Sequence, residues 1–135
     1  MAVDPLIRVR AICLAYPETT ERPSHAAPTF FAGKKSFLMY HDDHHGDGRL
    51  AVWCAAPPGA QSAYVHDNPR GYFVPAYVGT RGWVGVRLDR RVPWGEIEAV
   101  IDDAYREVAL RRMLVALDDD RTPGATGTFG TSRGE

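Results

Sequence analysis

The chain has 135 residues, of which 44% are hydrophobic and 24% charged, with a formal net charge of −1. That length and composition suit one ordinary globular domain with a real core. No stretch approaches the roughly 18–20 uninterrupted apolar residues of a membrane span, and near-neutrality argues against an overwhelmingly electrostatic nucleic-acid binder.

At the start, Met1-Ala-Val-Asp-Pro5 lacks a basic stretch followed by an apolar one, so export is not expected. Asp4-Pro5 reads as an N-cap followed by proline at the first helical position. Leu6, Val9, Cys13 and Tyr16, with Ile12 beside them, trace one helical face up to Pro17. The segment 18–28, broken by Pro23 and Pro28, is expected to hold at most a short edge strand. Thr29-Phe-Phe-Ala32 and Ser36-Phe-Leu-Met-Tyr-His41 then flank Gly33-Lys34-Lys35, a hairpin signature.

After the polar connection 41–48, the run Arg49-Leu-Ala-Val-Trp-Cys54 reads as a strand, with Leu50, Val52 and Cys54 on one side and Ala51 and Trp53 on the other. Pro57-Pro-Gly59 stops it. Ala60, Ala63 and Tyr64 predict a short helix ended by Asn68-Pro69. Trp83 to Leu88 is a further strand: Val84, Val86 and Leu88 share one face, Trp83, Gly85 and Arg87 the other. Pro93 opens a last helix with Ile97, Ile101, Ala104, Tyr105 and Val108 at core spacing, expected to run on through Leu114. No apolar period survives beyond, so the domain is expected to span 1–117 and a disordered tail 118–135. Strands joined by tight turns pair antiparallel. The expectation is an α+β fold, an antiparallel sheet with the terminal helices on one face and the other face partly wet.

Cys13 and Cys54 are the only cysteines, too few for a disulfide framework, and read as reduced, packed thiols in a cytoplasmic protein. His41-Asp-Asp-His-His-Gly-Asp-Gly48 contains ligand types, and a loop gathering His41, His44 and Asp47 would suit a transition metal. Asp and Gly equally serve turn geometry. With no second ligand cluster in the sequence, the loop reading is preferred and no metal is assigned. Ser24-His25 has no motif context, and Gly79-Thr-Arg-Gly82 precedes a strand rather than a helix, unlike a phosphate loop. Glu96, Glu98 and the Asp102-Asp103 pair fall on the polar side of the last helix and read as a solvated face. No catalytic residue and no cofactor is assigned.

Positive charge is unevenly spread. Between Arg49 and Arg91 stand six arginines against two acids, Asp67 and Asp89. Trp83 and Arg87, two apart on one strand face, are placed to stack on a base. Arg81, Arg90 and Arg91 flank that strand, and Lys34 and Lys35 tip a hairpin that could touch a phosphate backbone as a wing.

These segments together resemble the MmcQ/YjbR family. The resemblance is carried by Leu14-Ala-Tyr-Pro-Glu-Thr-Thr-Glu21, Pro28-Thr-Phe-Phe-Ala-Gly-Lys-Lys-Ser-Phe37, the segment from Pro75 to Leu88, and Ile101-Asp-Asp-Ala-Tyr105. It covers roughly Leu6 to Leu114. It implies a CyaY-like (frataxin-like) fold of about five or six antiparallel strands with the terminal helices on one side. It also implies a double-wing, DNA-binding role, itself an inference from fold. Many members place a His and then Asn-Lys before the strand Trp. Here Tyr77, Gly79 and Thr80 stand instead, which removes a phosphate-contacting lysine. Frataxin-type iron binding is not implied, because the first helix carries Arg8 and Arg10 rather than an acidic row.

The leading expectation is a cytoplasmic, bacterial, non-enzymatic DNA-binding protein using Lys34, Lys35, Arg81, Trp83, Arg87, Arg90 and Arg91. It is expected to work as a monomer or weak homodimer without membrane contact. The alternative is a small-ligand or protein-interaction module using an exposed sheet face around Trp53 and Trp83. A largely non-basic pocket beside those tryptophans would favour the alternative over DNA. Some relatives carry a nucleotide-metabolism transferase label, but no cofactor fingerprint stands in this sequence.

Overall fold

The computed structural model describes residues 4–121. Asp4 Oδ1 accepts the Leu6 N–H at 2.8 Å and, with Pro5, starts helix α1 (Pro5–Cys13). The helix stops short of Pro17, and Tyr16 leaves it to pack its ring 4.6 Å from Tyr105. Strands β1 (Thr19–Ser24) and β2 (Ala27–Ala32) follow. His25 and Ala26, at φ 51° and 66°, make the two-residue turn between them. The segment expected to hold at most a short strand thus gives a six-residue one. Its place at the sheet edge is what tolerates Pro23.

Gly33, at φ 61°, turns the chain into β3 (Lys35–Asp42). The register slips between Phe30 and Phe31, which pair with Leu38 and Ser36, so Phe37 is an extra residue in β3. That bulge lets Phe37 meet Tyr105 edge-on at 5.5 Å while neighbouring Leu38 is also fully buried. Then come β4 (Leu50–Cys54), α2 (Ala60–Asp67), β5 (Tyr72–Phe73), β6 (Val84–Arg87), α3 (Trp94–Val108) and α4 (Arg111–Arg121). The strands form one six-stranded antiparallel sheet in the order β1-β2-β3-β4-β6-β5.

One sheet face carries Phe30, Leu38, Val52, Cys54, Val84 and Val86. Val9 and Cys13 of α1 and Ile97, Ile101, Ala104 and Tyr105 of α3 complete this core. Each such aliphatic or aromatic side chain contributes roughly 1.5–3 kcal/mol by leaving water. Ion pairs tie the rim, among them Arg10 to Glu21 at 2.8 Å between α1 and β1. At the far edge Tyr64 of α2 stacks on Tyr72 with centroids 4.7 Å apart, and the Tyr72 hydroxyl donates to Glu96 of α3.

Three expectations are corrected here. The last helix does not run on through Leu114: Ala109 takes extended dihedrals (φ −67°, ψ 145°), and α4 starts afresh so that Met113 and Leu117 can bury. Residues 118–121, expected in a tail, belong to α4. The remainder of that tail, 122–135, lies outside the described residues. Most consequential, the sheet face away from the helices is not a wet surface displaying indoles. Trp53 and Trp83 are each only 3% exposed, because segments from both ends of the sheet fold over that face. Among the described residues, no helix is long and apolar enough to cross a membrane.

Candidate functional site

Strand alternation decides what lies on this second face. Met39 pairs with Trp53, His41 with Ala51, and Trp53 with Gly85, so Met39, His41 and Trp53 share the side opposite the helices. Over them lies a cavity of about 540 Å³, a size usual for small-molecule sites. Ser24 and His25 from the first hairpin close one flank. His44 and His45 from the β3–β4 connection, and Tyr77, Val78 and Arg81 from the β5–β6 connection, close the others. Four of the chain's five histidines therefore line one pocket.

The acids of the histidine-rich loop build the loop itself. Asp43 Oδ1 accepts the Gly48 N–H at 2.7 Å, and Asp47 Oδ1 accepts the Arg49 N–H at 2.8 Å. Asp43 and His45 sit at φ 61° and 50°, left-handed conformations that reverse the chain within a few residues. The imidazoles pack as a cluster. His41 lies 3.8 Å from Trp53 at an interplanar angle of 36°, and His44 meets His41 and Trp53 edge-on at 4.8 Å each. His45 packs on His44 at 4.1 Å. Among the described residues, no group of three or more His, Cys, Asp or Glu is placed to hold a metal ion. Asp47, the candidate third ligand, is engaged with Arg49 instead.

His41 is the unusual member. Its Nε2 is buried and has no hydrogen-bond partner among the described residues, which carries a real desolvation cost. Burial lowers its pKa from 6.5 to about 4, with His44 and His45 pushing the same way and Asp47 opposing. At neutral pH the ring is uncharged and offers one unmet polar atom.

The opposite wall is strained. Tyr77 sits at φ 63°, ψ −67°, and the Val78 N–H donates to the Ala76 carbonyl at 2.6 Å. This is the rare γ-turn geometry, and such backbone costs on the order of 1–3 kcal/mol. The surroundings hold it there. Gln61 Nε2 donates to the carbonyls of Gly79 and Trp83 at 2.8 and 2.6 Å, and Thr80 Oγ1 donates to the Tyr77 carbonyl at 3.0 Å. The result keeps the Tyr77 ring 75% exposed at the pocket mouth, 6.2 Å from His44. Beside it the Arg81 guanidinium lies over Trp83, 5.2 Å from the ring centre.

A second cavity of about 400 Å³ shares the His44, His45, Trp53 and Tyr77 wall and reaches Phe73 and Arg49. Gly85 explains its shape: a Cβ there would stand 2.4 Å from the Phe73 ring, so only glycine lets that ring lie on the strand. Arg49 caps Phe73 at 4.1 Å. A third, shallow groove of about 640 Å³ runs between α1 and α3 past Ile12, Tyr16, Glu98 and Asp102. Its carboxylates are partly spoken for: Tyr16 donates to Asp102 at 2.8 Å, and Arg106 pairs with the same Asp102 at 2.8 Å.

The seven residues expected to form a nucleic-acid surface are scattered. Trp83 is buried, so its face is not offered to a base. Arg87 donates to both carboxylate oxygens of Asp89, at 3.0 and 3.2 Å, and this lowers the Asp89 pKa. Arg90 approaches the same carboxylate at 3.8 Å. The register places Lys34 and Lys35 at the end of the sheet where β6 begins, and Arg90 and Arg91 beyond the end where it finishes. Arg81 alone of the set lines the pocket. Sequence reading did not select Met39, His25, Tyr77 or the pocket role of His44 and His45. The period-2 alternation of β3 against Trp53 would have placed Met39 and His41 together; the fold-over of the two connections has no such local signal.

A model of the YjbR family matches residues 14–107. The chain is also similar to the crystal structure of Deinococcus radiodurans protein DR2400, a DUF419 domain, with TM-score 0.66 at 16% identity, covering 85% of this chain and 86% of that one. That likeness speaks to the fold alone. Among curated proteins none matches significantly.

Proposed function

The chain belongs to the YjbR family, a fold assignment that names no chemistry by itself, and from the pocket we propose that it is a small-ligand-binding protein. The observation that carries this reading is the cavity of about 540 Å³ over Trp53, with His41 in its wall and a strained Tyr77 at its mouth. Concave, largely aromatic lining with a few polar groups is the usual make-up of a small-molecule site. Strain costs stability, and it is retained at this place. The ligand would sit against Trp53 and Met39, below Tyr77.

A ligand-observed NMR screen of small aromatic and heteroaromatic compounds tests this. Saturation transfer should reveal binders to the native protein that are lost in Tyr77→Ala, whose exposed side chain can be removed without opening the core. A screen without binders, or binders indifferent to Tyr77→Ala, would reject the reading.

DNA binding through Lys34, Lys35, Arg81, Arg87, Arg90 and Arg91 is the competing reading. Supporting the pocket over it are the burial of Trp83, the Arg87–Asp89 pair and the separation of the lysine and arginine groups to opposite sheet ends. Titration with duplex and single-stranded DNA at low salt distinguishes the two. Salt-dependent DNA affinity reduced by Lys34→Ala and Lys35→Ala would favour the nucleic-acid reading.

A further inference from the structure

We infer that the ligand of this pocket is a planar aromatic ring bearing an anionic group, the ring lying between the His41–Trp53 floor and Tyr77 and the anion meeting Arg81. This deepens the small-ligand reading and rests on it.

Three features of the lining converge. First, the described residues around the cavity include no carboxylate, while they include one guanidinium and four imidazoles. Arg81 is the one fixed charge of that lining, and burial holds the His41 ring neutral, so a negative guest meets a cation and no opposing carboxylate there. Second, Arg81 is available. Several other arginines are held by carboxylates, Arg10 by Glu21, Arg87 and Arg90 by Asp89, and Arg112 by Glu18. Among the described residues Arg81 is held instead by the face of Trp83, which orients its plane and leaves its N–H fork for an acceptor. Third, the apolar walls are flat: the indole of Trp53 with His41 tilted against it, and the phenol of Tyr77, which its γ-turn fixes at the mouth. Flat walls reward a flat guest, because aromatic pairs add about 0.5–1.5 kcal/mol beyond the area they bury.

Two sources share this chemistry, aromatic carboxylates and the phosphate esters of heteroaromatic bases. Calorimetric titration of the full chain with 2-naphthoate, its neutral amide 2-naphthamide, cyclohexanecarboxylate and adenosine monophosphate separates them. The aromatic anions should bind about tenfold or more tighter than the amide and the saturated acid. Tighter binding of the nucleotide assigns the phosphate source, and tighter binding of naphthoate the carboxylate source. Arg81→Gln, an exposed change, should weaken the better anion about tenfold and the amide less than twofold. Equal affinity for naphthoate and naphthamide, or equal losses for both in Arg81→Gln, would overturn the anionic assignment while leaving a small-ligand site in place. If none of the four binds although the wider screen yields hits, this inference alone fails; if the screen is also empty, the underlying reading fails with it.

Discussion

His41 and Trp53 lie ring against ring, 3.8 Å apart, on the side of the sheet that the helices leave uncovered. Neither belongs to the helix-side core, yet Trp53 is almost fully buried and His41 carries an unmet ring nitrogen. The contact marks the floor of the pocket and ties its chemistry to the stability of the fold.

The first consequence is a dependence on pH. His41 has a folded pKa of about 4 against an ordinary 6.5, so between these values the unfolded chain binds the extra proton. Stability from this group is complete above about pH 6.5 and is lost as pH falls toward 4. In His41→Phe, which keeps a ring but removes the titration, the slope of unfolding free energy across that window should flatten. Denaturant melts at several pH values check this, and an unchanged slope would contradict it.

Gly85→Ala sets two effects against each other. Alanine would gain about 0.5–1 kcal/mol of backbone preference over glycine. Its methyl would meet the Phe73 ring at 2.4 Å, and displacing a packed ring costs about 1–3 kcal/mol. The clash should win, giving net destabilisation in urea unfolding together with a shifted Phe73 ring spectrum. A neutral or stabilised variant would show that Phe73 is free to move.

Tyr77→Gly should do the reverse. Glycine accepts the positive φ of 63° at little cost, so stability should hold or rise by up to about 1 kcal/mol while affinity for aromatic ligands drops. Such a split between stability and binding identifies strain kept for a functional purpose. A clear loss of stability would mean that the exposed ring supports the fold instead.

Both cysteines are sealed in the core, and burial pushes their thiols upward, away from the reactive thiolate. Ellman's reagent should leave the native protein almost untouched and titrate both thiols after unfolding. Fast native reaction at either would contradict their burial in the core.

The fold was legible where patterns are local and periodic. Asp4-Pro5 announced α1, Gly33 the hairpin, and the alternation of Val84 and Val86 the strand β6. The apolar spacing of Ile97, Ile101 and Tyr105 announced α3. The expected antiparallel sheet and the helix-covered face follow from these. The site was not legible in the same way. Trp83 and Arg87 alternate as an outward pair, but alternation says which side a residue takes and not whether another segment covers that side. The segment 74–83 covers it through a γ-turn at Tyr77, a residue that no propensity scale would place at positive φ. The histidines of the β3–β4 connection looked like loop or metal material because their packing partner, Trp53, lies on the next strand.

Amide and side-chain NMR mapping of a 2-naphthoate titration tests the central claim most directly. The account predicts shifts concentrated at His41, His44, Trp53, Tyr77 and Arg81, with Lys34 and Lys35 unmoved. Shifts centred on the two lysines, or in the groove between α1 and α3, would contradict it.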